Sequence, residues 1–295
     1  MSEAPIFCVD GGGTRSRGRI VLASGETLAE AVAGPCNPSS DLSLAVSSIT
    51  QLWADIAVAA GFDPQAPSRC RLSIGTAGAL HPEIRNAFLS GLPVFAERHV
   101  MTDGYAALVG ASGGEPAGLL VMGTGTVAHR LFADGISIQR DGWGWVAGDR
   151  GSAAWIGRKA VEHALAARDE VVAPDDLSAA VWNDMGGEPD AVRSWLRDAR
   201  QARFAGIAPL VGDAAEAGNA TATGILDHAA DHGADLLRSL ALEEDEPVFL
   251  RGGVAEFLHD RLVRRYGRNF AGSEGDAMHG CFLVATGAAP REVRR

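Results

Sequence analysis

The first residues able to do chemistry are Asp10-Gly11-Gly12-Gly13-Thr14, which follow an apolar run at 6–9. Glycines let backbone N–H groups approach an anion closely, and consecutive N–H groups form an anion-binding concavity. Thr14 adds a hydroxyl donor. The Asp10 carboxylate could hold Mg2+, directly or through water, because that ion prefers carboxylate, water and phosphate oxygens. Read alone, the same residues also make a hairpin turn whose Asp bonds its own backbone.

The theme returns later in the chain. Residues 118–122 are apolar, Gly123-Thr124-Gly125-Thr126 is a Gly/Thr turn, and 127–132 again reads as a strand. Two such hairpins, facing each other, could grip opposite ends of one polyphosphate. Met122 stands where the first copy has Asp10, so only the first hairpin could give a metal its carboxylate.

Other groups need weighing one by one. Asp103 follows Thr102 at a strand-to-helix step. An Asp there is either an N-cap, worth about 1 kcal/mol, or a general base accepting a proton from an attacking hydroxyl. In phosphoryl transfer such a carboxylate mainly orients the nucleophile. The loop 141–152 carries Trp143, Gly144, Trp145, Asp149 and Arg150. Tryptophan faces stack on sugar rings, and short polar side chains bond hydroxyls. The competing reading is a packed loop with Asp149 capping the next helix, and the two are compatible. Asn37, in Gly34-Pro35-Cys36-Asn37-Pro38, either bonds a sugar hydroxyl or shapes its own turn. Gly252 and Gly253 either admit adenine or ribose against bare backbone or simply make a turn. His129 and His279 read as packed or surface histidines, and Cys8 as a core residue.

These groups need elements to hold them. The sequence predicts strands at 6–9 and 18–22 around the first turn. A helix starts at Ser40 or Asp41, with Leu42, Val46, Ile49, Leu52, Trp53 and Ile56 at helical spacing, and stops at Gly61. A strand at 71–74 enters Gly75-Thr76-Ala77-Gly78. A helix at 82–90, a strand at 94–100 and a small-residue helix at 104–111 follow, then a break at 112–116. After the second hairpin, helices are expected at 152–168, 175–185, 190–204, about 212–240 and 278–288, with a buried strand at 247–250. The two strand–turn–strand units read as a degenerate internal duplication. No helix follows the glycines directly and no Gly-Lys-Ser/Thr is present, which excludes a dinucleotide fingerprint and a Walker A loop.

Bulk properties bound the partners. The 295 residues suggest two lobes, divided here as 1–112 and 113–295. Hydrophobic residues make up 46% and aromatics only 6%, so the core should be built from small side chains. The formal charge of −11 argues against nucleic acid or anionic lipid as a partner. It leaves any nucleotide site dependent on backbone dipoles and a metal. Cys8, Cys36, Cys70 and Cys281 form no CxxC pair, so neither a zinc signature nor a disulfide framework is read. The N-terminal residues lack a basic-then-apolar leader and no apolar run approaches ~18 residues, so a cytoplasmic protein is expected.

Taken in order, VDGGGT, GPCN, MTDGYAAL, VMGTGTVAHR, DGWGWVAGDRGSAAWIGRKAV and RGGVA resemble the motifs of the BadF/BadG/BcrA/BcrD-type ATPases. Within that family, in the actin/hexokinase/Hsp70 superfamily, they resemble the branch of N-acetylglucosamine and glucosamine kinases. The resemblance implies an α/β fold of two ribonuclease-H-like (actin-like ATPase) lobes with an interlobe cleft, the final helix at about 278–288 returning to the first lobe. It implies ATP and Mg2+ as cofactors, a small amino sugar as substrate, and a homodimer. By position, Asp103 would be the base, Asp10 the metal residue, and Gly11, Gly12, Gly13, Thr14, Gly123, Thr124, Gly125 and Thr126 the phosphate loops. Gly252 and Gly253 would face the nucleoside; Asn37, Trp143, Gly144 and Asp149 would serve the sugar. The activity implied is phosphorylation of N-acetylglucosamine at its 6-hydroxyl. Glucosamine kinase, an ATPase activator of an iron–sulfur reductase, and a non-catalytic sugar sensor stand as alternatives. One departure is GDRGS where the branch commonly has GDEGS. Arg150, if directed inward, would favour a neutral N-acetylated sugar over a cationic one.

Overall fold

A computed structural model describes residues 4–79 and 81–294; residues 1–3 of the N-terminal segment considered above lie outside it, as do Leu80 and Arg295. Ile6, Phe7, Cys8 and Val9 are all completely buried, the pattern of a central strand covered on both faces. The first sheet holds β1 (Ile6–Gly11), β2 (Ser16–Val21), β3 (Thr27–Ala33), β4 (Arg71–Thr76) and β5 (Arg98–Met101), in the order β3-β2-β1-β4-β5. β1 runs antiparallel to β2 and parallel to β4, so a meander is followed by crossover strands. α1 (Leu42–Ala59) packs on this sheet. It starts where Asp41 accepts from the Leu44 N–H, and Gly61 beyond its end has φ of +76°, a left-handed position that glycine takes without strain.

α1 has the length and mean hydropathy (1.4 over 18 residues) of a membrane span, more than the sequence reading allowed. Its apolar side nevertheless belongs to the core: Ile49, Leu52, Trp53 and Ile56 are buried with Phe7 and Phe95. The Trp53 ring lies 5.5 Å from Phe7 and 5.1 Å from Phe95. Such aromatic pairs add about 0.5–1.5 kcal/mol beyond their buried area.

α2 (Pro82–Gly91) and α3 (Asp103–Ser112) flank β5 in sequence. The second sheet contains β6 (Ala117–Met122), β7 (Thr126–Leu131), β8 (Ile136–Asp141), β9 (Val248–Arg251) and β10 (Val293–Arg294), ordered β10-β8-β7-β6-β9. The β8-β7-β6-β9 run repeats the β3-β2-β1-β4 order, and β6 pairs with β9 in parallel as β1 does with β4. The helices of the second half are α4 (Ala153–Arg168), α5 (Asp176–Asp184), α6 (Pro189–Asp198), α7 (Gln201–Ala205), α8 (Ala208–Glu216), α9 (Ala220–Ser239), α10 (Gly253–Phe257), α11 (His259–Tyr266) and α12 (Ala277–Thr286).

Two compact units result: Met1–Ala117 with His129–Ile138 and Gly272–Arg295, and Gly118–Ala128 with Gln139–Ala271. In the first unit α12 packs on α3, β1 and β4. That crossing needs glycine. A Cβ on Gly110 would lie 1.9 Å from the Asp276 carbonyl oxygen, and one on Gly280 would lie 2.0 Å from that of Ala106. Any side chain there would push the two helices apart.

Several elements differ from the sequence reading. β3 and β8 were not anticipated. The strand expected at 94–100 shortens to Arg98–Met101, and Val94 is exposed. The helix expected at 190–204 is two, broken at Ala199 and Arg200, and the stretch 212–240 is divided between α8 and α9. α10 and α11 occupy a region read only as a turn.

Candidate functional site

The candidate residues fall into two groups, one in each unit. In the first, Gly12 closes the β1–β2 turn by donating its N–H to the Arg15 carbonyl at 3.0 Å. Gly13 has ordinary φ, and a Cβ on it would meet nothing within 4 Å, so neither conformation nor internal packing requires glycine there. Gly11 is different, because a Cβ would press on Thr76 and Cys36 at 3.1–3.2 Å. Thr14 is exposed at the tip. The Asp10 Oδ2 accepts from Arg17 Nη2 at 2.8 Å, an ion pair between partly exposed groups that the sequence reading missed. The signal was available in the alternation of β2, which puts Arg17 opposite Asp10.

Asn37 uses its Oδ1 to accept from the backbone N–H groups of Ser39 and Ser40, at 3.1 and 3.3 Å. This is an Asx-type turn, so the structural reading holds for that oxygen; its amide NH2 makes no hydrogen bond among the described residues. The loop rests on Gly78, where φ is +79° and a Cβ would meet Asn37 Oδ1 at 2.3 Å.

Asp103 is not the cap of α3. Thr102 is, its Oγ1 accepting from the Tyr105 N–H at 3.2 Å. Asp103 occupies the first helical position and accepts from the Gly104 N–H at 2.9 Å. Water reaches its side chain, yet the surrounding protein still disfavours the charged form and raises its pKa above the usual Asp value; the Gly104 N–H opposes this and the Asp10 charge adds to it. Asp10 and Asp103 therefore share one electrostatic neighbourhood. The junction is braced from behind by Glu292, which accepts from Thr102 N at 2.8 Å and Thr102 Oγ1 at 2.9 Å. His129 is buried with its ring against Gly104, where a Cβ would lie 2.0 Å from Nε2.

In the second unit the hairpin between β6 and β7 closes through Gly123 N–H to the Gly125 carbonyl at 2.9 Å. Gly123, Thr124 and Gly253 line one cavity of about 510 Å3, together with Ile156, Val254, Phe257 and the carboxylates Asp213 and Glu216. Gly123 and Gly253 both have ordinary φ, and a Cβ on either would meet nothing within 4 Å. Gly252 is structural instead: its φ is +94° and a Cβ would lie 2.5 Å from the Met122 carbonyl oxygen.

Asp149 does not cap α4; Ser152 does, its Oγ accepting from Trp155 N at 3.1 Å. Asp149 is buried with φ of +52°, a position unusual for a residue other than glycine and one that marks strain held in place by its surroundings. Burial raises its pKa, while backbone N–H groups of Thr126 and Gly144 counteract that and the Asp141 charge adds to it. Gln201 Nε2 donates to Asp149 Oδ2 at 3.1 Å and to the Thr124 carbonyl at 3.3 Å. One amide thus ties the candidate sugar residue to the candidate phosphate loop. α7, which carries Gln201, is set against α4 at Gly157, where a Cβ would strike the Phe204 carbonyl oxygen at 1.9 Å.

Asp141 organises the Trp-rich loop. Its carboxylate accepts from the N–H groups of Trp143, Asp149 and Arg150 at 3.0–3.4 Å. Gln201 and Asp141 were both missed, because no local pattern distinguishes a Gln on a short helix or an Asp ending a strand. Trp143 is 86% exposed, whereas Trp145 lies 5.8 Å from Phe204. Gly144 has φ of +91° and Gly125 packs on Asp149, where a Cβ would lie 2.8 Å from Oδ2. Arg150 is exposed, and its charge is felt at His232.

The chain is 27% identical over 277 residues to glucosamine kinase GspK of Vibrio cholerae, covering 94% of each chain. A crystal structure from Chromobacterium violaceum, named provisionally as an N-acetylglucosamine kinase, superposes with a TM-score of 0.90 at 31% identity, over 96% of this chain and 99% of that one. A ROK family glucokinase from Streptomyces griseus, solved with glucose and AMPPNP, shares the fold at a TM-score of 0.53, 19% identity and coverage of 97% and 98%. The fold is the actin-like one of these kinases. The model of the BadF/BadG/BcrA/BcrD ATPase family matches residues 8–286, and the chain belongs to that family.

Proposed function

We propose that this protein transfers the γ-phosphoryl group of ATP to a hydroxyl of an amino sugar, N-acetylglucosamine at its 6-hydroxyl being the preferred acceptor. The observation that carries the reading is the 510 Å3 cavity of the second unit, where bare backbone at Gly123 and Gly253 meets the apolar Val254 and Phe257. A nucleoside fits the apolar wall, and Thr124 with its neighbouring N–H groups suits phosphate oxygens. Asp149 and Asn37 bond the sugar, with Trp143 and Gly144 beside it. Gly11, Gly12, Gly13 and Thr14 meet the far phosphates.

Asp103 accepts the proton of the attacking hydroxyl and holds its oxygen in line with the phosphorus. A raised pKa matches that role better than the ordinary Asp value, since a base works best near the operating pH. Mg2+, when bound, neutralises charge developing on the phosphates. Asp10 is the residue that would hold it, with Oδ2 already engaged by Arg17 and Oδ1 left for the ion or its waters. A single carboxylate suits Mg2+, which keeps most of its waters. Transfer requires both groups of residues to act on one ATP–sugar pair.

One observation favours this over the iron–sulfur alternative. All four cysteines are buried, with Cys36 and Cys70 pushed up to about 11 and Cys281 to about 12, so none offers a thiolate to an iron–sulfur cluster shared between subunits. A coupled ADP-release screen over N-acetylglucosamine, glucosamine, N-acetylmannosamine, N-acetylmuramic acid and glucose tests the assignment. Highest kcat/KM with N-acetylglucosamine supports it, and highest kcat/KM with glucosamine transfers it to the other branch.

A further inference from the structure

A second cavity, of about 250 Å3, lies wholly within the first unit, where the edge strand β5 meets α2, α12 and residues 291–292. Three arginines, Arg85, Arg98 and Arg291, line it in a chain of net charge −11, together with His99, whose Nε2 lies 3.4 Å from Glu97 Oε2, and the carboxylate of Glu292. The guanidinium groups of Arg85 and Arg291 make no hydrogen bond or ion pair among the described residues. Arg98 is anchored, its Nη1 donating to the Leu89 carbonyl at 2.8 Å. Both Glu292 oxygens already accept from Thr102. His99 is only 8% exposed, and its pKa is lowered first by burial and then by the charge of Arg291. Among the described residues the chain thus gathers three guanidinium groups at one concave place and leaves two of them without a partner, a concentration of positive charge that an anion would offset.

We propose that this cavity is a binding site for a small dianion of the phosphate type. The planar guanidinium fork matches phosphate oxygens two at a time, and Arg85 on α2 and Arg291 would each offer one. A water occupies about 30 Å3, so the space admits a phosphate with several waters, or a small phosphomonoester. Val284 of α12 adds an apolar side chain to the lining. The site is separate from the second unit's nucleotide cavity, and it needs no kinase activity to be real.

The test is titration of the full chain with inorganic phosphate and with glycerol phosphate, in the presence of saturating ADP. Binding is followed by calorimetry and by the ring resonances of His99. Wild type is expected to bind phosphate with movement of the His99 signals. Arg85→Gln with Arg291→Gln should weaken that binding at least tenfold while ADP affinity stays within twofold. Binding of glycerol phosphate at the same residues would extend the site to phosphomonoesters, and its failure beside intact phosphate binding would restrict the site to the free ion. Phosphate affinity unchanged in the double variant would overturn the proposal. So would His99 resonances in the wild type that ignore phosphate, a readout that stands even if the double variant does not fold.

Discussion

Alanine at Gly123 should separate function from folding. The residue sits in the β6–β7 hairpin with ordinary φ, and a methyl there meets no atom within 4 Å. Replacing glycine where the backbone already suits alanine restricts the unfolded chain and stabilises by roughly 0.4–1 kcal/mol. That corresponds to a rise of about 1–4 °C in Tm. The same methyl would project into the cavity where a phosphate must reach the backbone N–H. Loss of one hydrogen bond to a charged group costs about 1.5–3 kcal/mol, which is on the order of 10- to 150-fold in nucleotide affinity. Gly252→Ala is the opposite case. Its φ of +94° and the 2.5 Å approach to the Met122 carbonyl make the substitution strained, with a stability loss of about 1–3 kcal/mol or more. Thermal melts and calorimetry with a non-hydrolysable ATP analogue read both effects. The reasoning fails if Gly123→Ala binds the analogue as tightly as wild type, or if it melts lower than Gly252→Ala.

Four further outcomes follow from the same geometry. Asp103→Asn should lower turnover by about 10²–10⁴ and leave nucleotide affinity nearly unchanged; joint loss of both would remove Asp103 from its role. Because the Asp103 pKa is raised, the carboxylate is protonated and idle at low pH, so kcat/KM should climb with pH through a limb above the ordinary Asp range, visible in a pH–rate profile. Gln201→Ala removes the amide shared by Thr124 and Asp149 and should raise KM for sugar and ATP together, whereas a purely structural role would move only the Tm. Ser152→Ala should cost about 1 kcal/mol in a denaturant melt through loss of the α4 cap, while Asp149→Asn leaves that cap intact.

The hairpins, the first helix and its Asp41 cap were legible in the sequence because each rests on local rules: apolar runs ending in glycine, and a carboxylate one residue before a 3.6-residue periodicity. β3 and β8 were not. Thr27–Ala33 is alanine-rich and lies at a sheet edge, where burial alternates weakly, and Ile136–Asp141 has only two strongly apolar side chains. Asp103 and Asp149 both look like caps by spacing. The structure gives that task to Thr102 and Ser152, whose hydroxyls are one residue and three residues away. The division of 212–240 could have been read from Gly218-Asn219, a glycine with φ of +89° followed by an N-cap. Gln201 and Glu292 act through partners brought near by the fold, the latter across 190 residues of chain. No local pattern encodes such contacts.

The most direct test of sugar phosphorylation is to incubate the chain with ATP, Mg2+ and N-acetylglucosamine and follow phosphorus by NMR. The account predicts one new phosphomonoester resonance coupled to the sugar's C6 methylene protons, growing in step with ADP and absent when Asp103→Asn replaces the wild-type chain. ADP and free phosphate accumulating at the same rate with or without any amino sugar would contradict it.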